Sequence, residues 1–187
     1  MTFRNFLSNQ KGALFGLDAR IALAIFSGLS IIAGAAGYSY MSKTQITALA
    51  TELDNISKAY TNFQLDTQVN TKTFGDLINN DGGQLGWNGP YITMISDNHL
   101  AYGKYSIVYG IDMTRVKGTT PRPCLNPRDI CFIWVQLSDV PMALASKVDE
   151  HIDGANDGLG TPNSGKFLVE VDAATEKALI SYRISRK

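Results

Sequence analysis

Asp149, Glu150, His151, Asp153, Asn156 and Asp157 crowd oxygen donors into one stretch, and the glycine-rich loop that follows runs on to Gly160 and Gly165. Hard oxygen ligands suit calcium. Asp149, Asp153, Asn156 and Asp157 are therefore candidate metal ligands, with calcium the candidate cofactor. The spacing is not that of an EF-hand, because no D-x-D-x-D-G run with a closing Glu is present. The same residue types also serve as ordinary turn formers. Cys124 and Cys131 enclose six residues. A redox-active pair is usually spaced Cys-x-x-Cys, so catalysis by these thiols is not expected. They would form a disulfide if this part of the chain lies outside the cytoplasm, and stay as thiols otherwise. His99 and His151 are the only histidines, and neither accompanies a glycine-framed serine or a metal-ligand His pair. No P-loop or dinucleotide fingerprint occurs, so the expectation is a protein that is not an enzyme.

One more chemically distinctive residue is Asp18, an acid at the edge of an apolar run. The composition explains its setting. The 187 residues carry 17 Lys plus Arg and 17 Asp plus Glu, a net charge of zero, which argues against an electrostatic nucleic-acid binder. The aromatic residues between Tyr91 and Tyr109 have Lys104 as their sole cation, so stacking on nucleic acid is poorly supported as well. The zero conceals a division. Residues 1–43 hold Arg4, Lys11, Arg20 and Lys43 against Asp18 alone, and the remainder carries a matching acidic excess. Ile21 to Tyr40 is free of charge. As a helix those residues would be ~30 Å long, the thickness of a bilayer core. Arg4, Lys11 and Arg20 precede the span and only Lys43 follows closely, which places the N-terminus in the cytoplasm and the C-terminal part outside.

Three readings fit this segment. It is a plain single-pass anchor; or a secretory signal, with Ala33-Gly34-Ala35 as the small-residue cleavage site; or a short polar leader ahead of a retained apolar helix. The segment Lys11-Gly12-Ala13-Leu14-Phe15-Gly16-Leu17-Asp18 resembles the prepilin cleavage region of type IV pilins and type II secretion pseudopilins. The resemblance implies cutting after Gly12 by a prepilin peptidase, with Lys11, Gly12 and Ala13 as the processing residues. Ala13 then becomes the first residue and Asp18 the sixth, where the family usually has a Glu at the fifth. A cut after Gly16 is the alternative and would put Asp18 second. The resemblance further implies that Asp18 serves assembly. Physically, an acid at a lipid-facing position is tolerated when it snorkels or meets a cation, such as a neighbour's new α-amine. Its other reading is a helix N-terminal acid that pairs with nothing.

The next segment separates the readings. No Pro or Gly appears from Met41 to Phe74, and Ile46, Leu49, Leu53, Ile56, Tyr60 and Phe63 recur at steps of three and four. That spacing is one apolar stripe on a helix. One helix is expected from about Leu17 to about Leu65, half membrane span and half amphipathic spine. Strands are expected at Tyr105–Asp112, Cys131–Leu137, Phe167–Val171 and Ala178–Ile184, with a short helix from Met142 to Asp149 opened by Pro141. Trp87-Asn88-Gly89-Pro90-Tyr91 is similar to an element of the major pseudopilins. Gly89 and Pro90 suit a turn, and Trp87 and Tyr91 supply apolar anchors.

The expected fold class is α+β, a long N-terminal helix packed on an antiparallel β-sheet, pilin-like. The expected organisation is a leader at 1–12, a transmembrane and assembly helix at 13–43, and an extracytoplasmic globular domain at 44–187. The resemblance implies a structural subunit of a type IV pilus or type II secretion pseudopilus, held in the inner membrane before assembly into a filament. Its partners would be other pilin or pseudopilin subunits, the prepilin peptidase and an inner-membrane assembly platform, with no nucleic acid. The alternative is a single-pass anchored extracytoplasmic binding domain that never polymerises.

Overall fold

The computed structural model describes residues 10–111, 121–124, 130–154, 165–172 and 174–187. The chain divides into two compact units, Met1–Thr44 and Gln45–Lys187. Helix α1, Gln10–Thr67, supplies the described part of the first unit and the opening element of the second. It starts ahead of the expected Leu17 and ends just past Leu65. Its end has a local cause. Thr67 donates its hydroxyl to the Phe63 carbonyl at 2.7 Å, and Gln68 turns into the left-handed region at φ 56°.

In the second unit the periodic stripe does what its spacing demands. Leu49, Leu53, Ile56, Tyr60 and Phe63 are buried, and Ile46 packs partly buried beside them. The surface that covers them is a sheet of order β2-β1-β3-β5-β4, antiparallel throughout. Its strands are β1 (Tyr105–Ile111), β2 (Arg122–Pro123), β3 (Cys131–Pro141), β4 (Phe167–Asp172) and β5 (Lys177–Arg186). Side chains alternate across a strand. Tyr105 and Ile107, Ile133, Val135 and Leu137, Ala178, Ile180 and Tyr182, and Phe167 and Val169 therefore share the helix core. On the other face Trp134 is fully buried and donates its indole N–H to the Gly110 carbonyl at 3.2 Å. Beside it, the Arg183 guanidinium lies 5.0 Å from the centre of the Phe132 ring.

Helix α2, Met142–Asp153, connects β3 to β4, and β5 then inserts between those two strands. The helix runs four residues past the expected Asp149 and stops at Gly154, whose φ of 96° favours glycine. Strand β3 also outruns its expected end at Leu137. Ser138-Asp139 reads as a turn in sequence, but an irregularity between Leu137 and Val140 absorbs it, with Asp139 at φ 59°. Lys177 reaches the Asp139 carboxylate at 2.9 Å, and this hydrogen bond and its charge hold the Asp139 carboxyl below the usual carboxylate range. The two-residue β2 escaped the sequence patterns because it is short and half proline. Asp112, expected to close β1, lies outside the described residues.

Two outcomes follow from this core. Phe63→Ala removes a fully buried ring, so denaturant unfolding of the detergent-solubilised chain should lose about 3–5 kcal/mol. The second concerns alkali. Burial pushes the Tyr60 and Tyr105 hydroxyls far above the ordinary tyrosine value, with the neighbouring Tyr109 adding to the first and Glu52 to the second. A raised folded-state value lends stability that is whole below about pH 10 and is lost as pH rises beyond it. Tyrosinate absorbance from these two residues should appear together with the loss of far-UV circular dichroism, not before it.

Candidate functional site

The first unit is dominated by one feature, an apolar helix surface that no described residue covers. Leu17, Ile21, Leu23, Ile25, Phe26, Leu29, Ile31 and Ile32 are each at least half exposed. The helix is long and apolar enough to cross a membrane, with a mean hydropathy of 1.8 over its best window and none of that window buried. Apolar residues all round a helix mean lipid or other helices as surroundings. Ser30 returns its hydroxyl to the Phe26 carbonyl at 2.8 Å, so this polar group is satisfied within its own helix. Gly28, Gly34 and Gly37 have open space where a side chain would stand. No contact among the described residues requires glycine there, whereas close approach of a second helix does use small residues.

Asp18 lies on this exposed surface and makes no ion pair among the described residues. Lys11, Gly12 and Ala13 belong to the helical backbone at the start of α1.

In the second unit Cys124 and Cys131 are joined as a disulfide, with their Cα atoms 6.0 Å apart. Its placement follows from the sheet. β2 pairs with β1 through Gly110 and Ile111, and Ile111 also pairs with Cys131. The bridge thus ties the short edge strand to the first residue of β3.

The acidic stretch is divided. Asp149 is buried on the inner side of α2 with Ala145 and Val148. Asp153 accepts the Lys166 amide on Oδ1 at 2.9 Å and the Phe167 amide on Oδ2 at 2.7 Å, fastening the end of α2 to the start of β4. A Cβ at position 165 would overlap the Asp153 carboxylate, so glycine is required there. Asn156 and Asp157 lie outside the described residues. Among the described residues no group of three His, Cys, Asp or Glu side chains is placed to hold a metal ion.

The Trp87–Tyr91 segment is a clasp. Trp87 donates its indole N–H to the Asp76 carbonyl at 2.8 Å and meets the Tyr91 ring edge-on at 5.7 Å. Tyr91 in turn packs edge-on against Phe63 of α1 and donates its hydroxyl to Asp66 at 2.9 Å. Gly89 sits where a side chain would strike both rings. The motif therefore holds the loop after α1 against that helix.

One arrangement gave no signal in the sequence. His99 Nδ1 accepts the backbone N–H of Ala101 at 2.9 Å and of Tyr102 at 3.1 Å. Its Nε2 lies 3.3 Å from the Glu52 carboxylate. Forty-seven positions separate His99 from Glu52, and no local pattern links them.

The disulfide yields a measurable outcome. On the chain-entropy account, closing so short a loop stabilises by ~2–3 kcal/mol. Reductant, or Cys124→Ser, should lower the Tm of the detergent-solubilised chain correspondingly, with little loss of secondary structure by circular dichroism.

The chain matches no protein-family model, no curated protein and no solved structure.

Proposed function

We propose that this protein is a pilin-like structural subunit, inserted with its N-terminus in the cytoplasm, cut by a prepilin peptidase and polymerised through the first half of α1. One observation carries the reading. A helix that is apolar and exposed over its first half becomes, without leaving the same element, the one-sided spine of a folded α+β domain. A simple anchor needs the apolar half alone. Lipid satisfies that surface in the monomer, and packing against copies of the same helix satisfies it in a filament. The open positions at Gly28, Gly34 and Gly37 suit such packing. The carboxylate of Asp18 suits pairing with a neighbouring subunit's α-amine. The partners are then further pilin or pseudopilin subunits and an inner-membrane assembly platform, and the role is structural.

Mass spectrometry of the mature N-terminus, combined with cysteine cross-linking along Ile21–Ile32 in membranes, tests this. The expected result is a start at Ala13 and a ladder of cross-linked multimers. Asp18→Ala should leave the folded monomer intact while reducing the multimers about tenfold or more, the effect of losing ~1.4 kcal/mol of pairing. A start at Ala36 would mean a secreted soluble protein. An intact Met1 without multimers would mean an anchored binding domain that does not assemble.

A further inference from the structure

The loop from Asp97 to Tyr105 is tightly braced. The Tyr105 amide donates to the Asp97 carbonyl at 2.7 Å, and the His99 amide to the Gly103 carbonyl at 2.9 Å. Lys104 meets the Asp97 carboxylate at 2.8 Å. The loop nevertheless holds Leu100 fully in solvent, at 105% exposure, and Ile95 just ahead of the loop is exposed at 102%. Its centre is the imidazole of His99, stacked on Tyr102 at 4.4 Å and edge-on to Tyr105 at 5.9 Å.

The geometry points to His99 as a proton-operated latch on this loop. Two amide N–H groups donate to Nδ1, so that nitrogen must carry a lone pair, and the imidazole proton sits on Nε2 facing Glu52. A second proton has only Nδ1 to bind. Its arrival replaces the acceptor with a donor, and three N–H groups then face one another. The closed loop holds the neutral ring, and a proton arriving at Nδ1 opens it. Every charged or titratable group facing the ring enters this balance. Glu52 from α1 faces Nε2 at 3.3 Å. Tyr102 from the loop and Tyr105 from β1 stay neutral, because burial first, and Glu52 second, raise both hydroxyls. Asp97 and Lys104 pair with each other at the base of the loop. Opening removes Tyr102 from the edge of the core and changes how Leu100 is displayed. The presentation of this loop thus becomes dependent on protonation.

The test uses the full chain in detergent micelles. Amide exchange of Ala101 and Tyr102 is measured between pH 7.5 and pH 5 and corrected for intrinsic rates. The ring nitrogens of His99 are followed over the same range by two-bond proton–nitrogen NMR. The expected result is a bare Nδ1 at pH 7.5. Protection of the two amides should fall at least about tenfold as Nδ1 becomes protonated, the two transitions sharing one midpoint. In His99→Asn the side-chain oxygen takes the Nδ1 position without titrating, so protection should persist at pH 5. Unchanged protection in the native protein at pH 5 overturns the latch, as do separate midpoints for ring and amides. So does an equal loss of protection at pH 5 in His99→Asn that keeps its protection at pH 7.5.

Discussion

The interaction on which the rest of the second unit depends is burial of one helical stripe. Leu49, Leu53, Ile56, Tyr60 and Phe63 lie on a single face because their spacing follows the helical repeat. Left uncovered, they would form one large continuous apolar patch. Three long strands and β4 cover them, each contributing alternate residues, and the sheet's order follows from that need. β3, whose inward residues Ile133, Val135 and Leu137 are fully buried, lies in the middle with partners on both sides. The shorter β2 and β4 occupy the edges.

The same helix carries a different surface in the first unit, where apolar residues point in all directions and Gly16, Gly28, Gly34 and Gly37 meet no described residue. Two solvents are therefore written into one secondary-structure element. Uniform apolarity fits lipid or neighbouring helices, and one-sided apolarity fits a water-facing helix on a sheet. The change occurs between Met41 and Ile46, and the division of the chain into two units falls in that interval.

Around the core, loops are held by polar and aromatic contacts to distant elements. Trp87 and Tyr91 fasten one loop to α1, Asp153 fastens the start of β4, the disulfide fastens β2, and His99 fastens the segment leading into β1. These clasps differ in chemistry and therefore in what loosens them. The disulfide responds to reductant and His99 to protons. The aromatic clasp depends on ring packing, and the Asp153 contact on a carboxylate that accepts two backbone amides.

Much was legible in the residues alone. The apolar span, the stripe from Ile46 to Phe63, the four expected strands and α2 follow from periodicity and turn residues, because local spacing dictates which side chains share a face. The bounds were less legible. β3 continues beyond Leu137 because a neighbouring strand rewards an irregular residue pair with further hydrogen bonds, and no local pattern reports that reward. Strand order, the insertion of β5 between β3 and β4, the closing of Asp153 onto Lys166 and Phe167, and the approach of His99 to Glu52 were decided only in three dimensions. Each joins residues far apart in the chain, where partners are selected by the shape and polarity of surfaces that exist only once the helix and sheet have met.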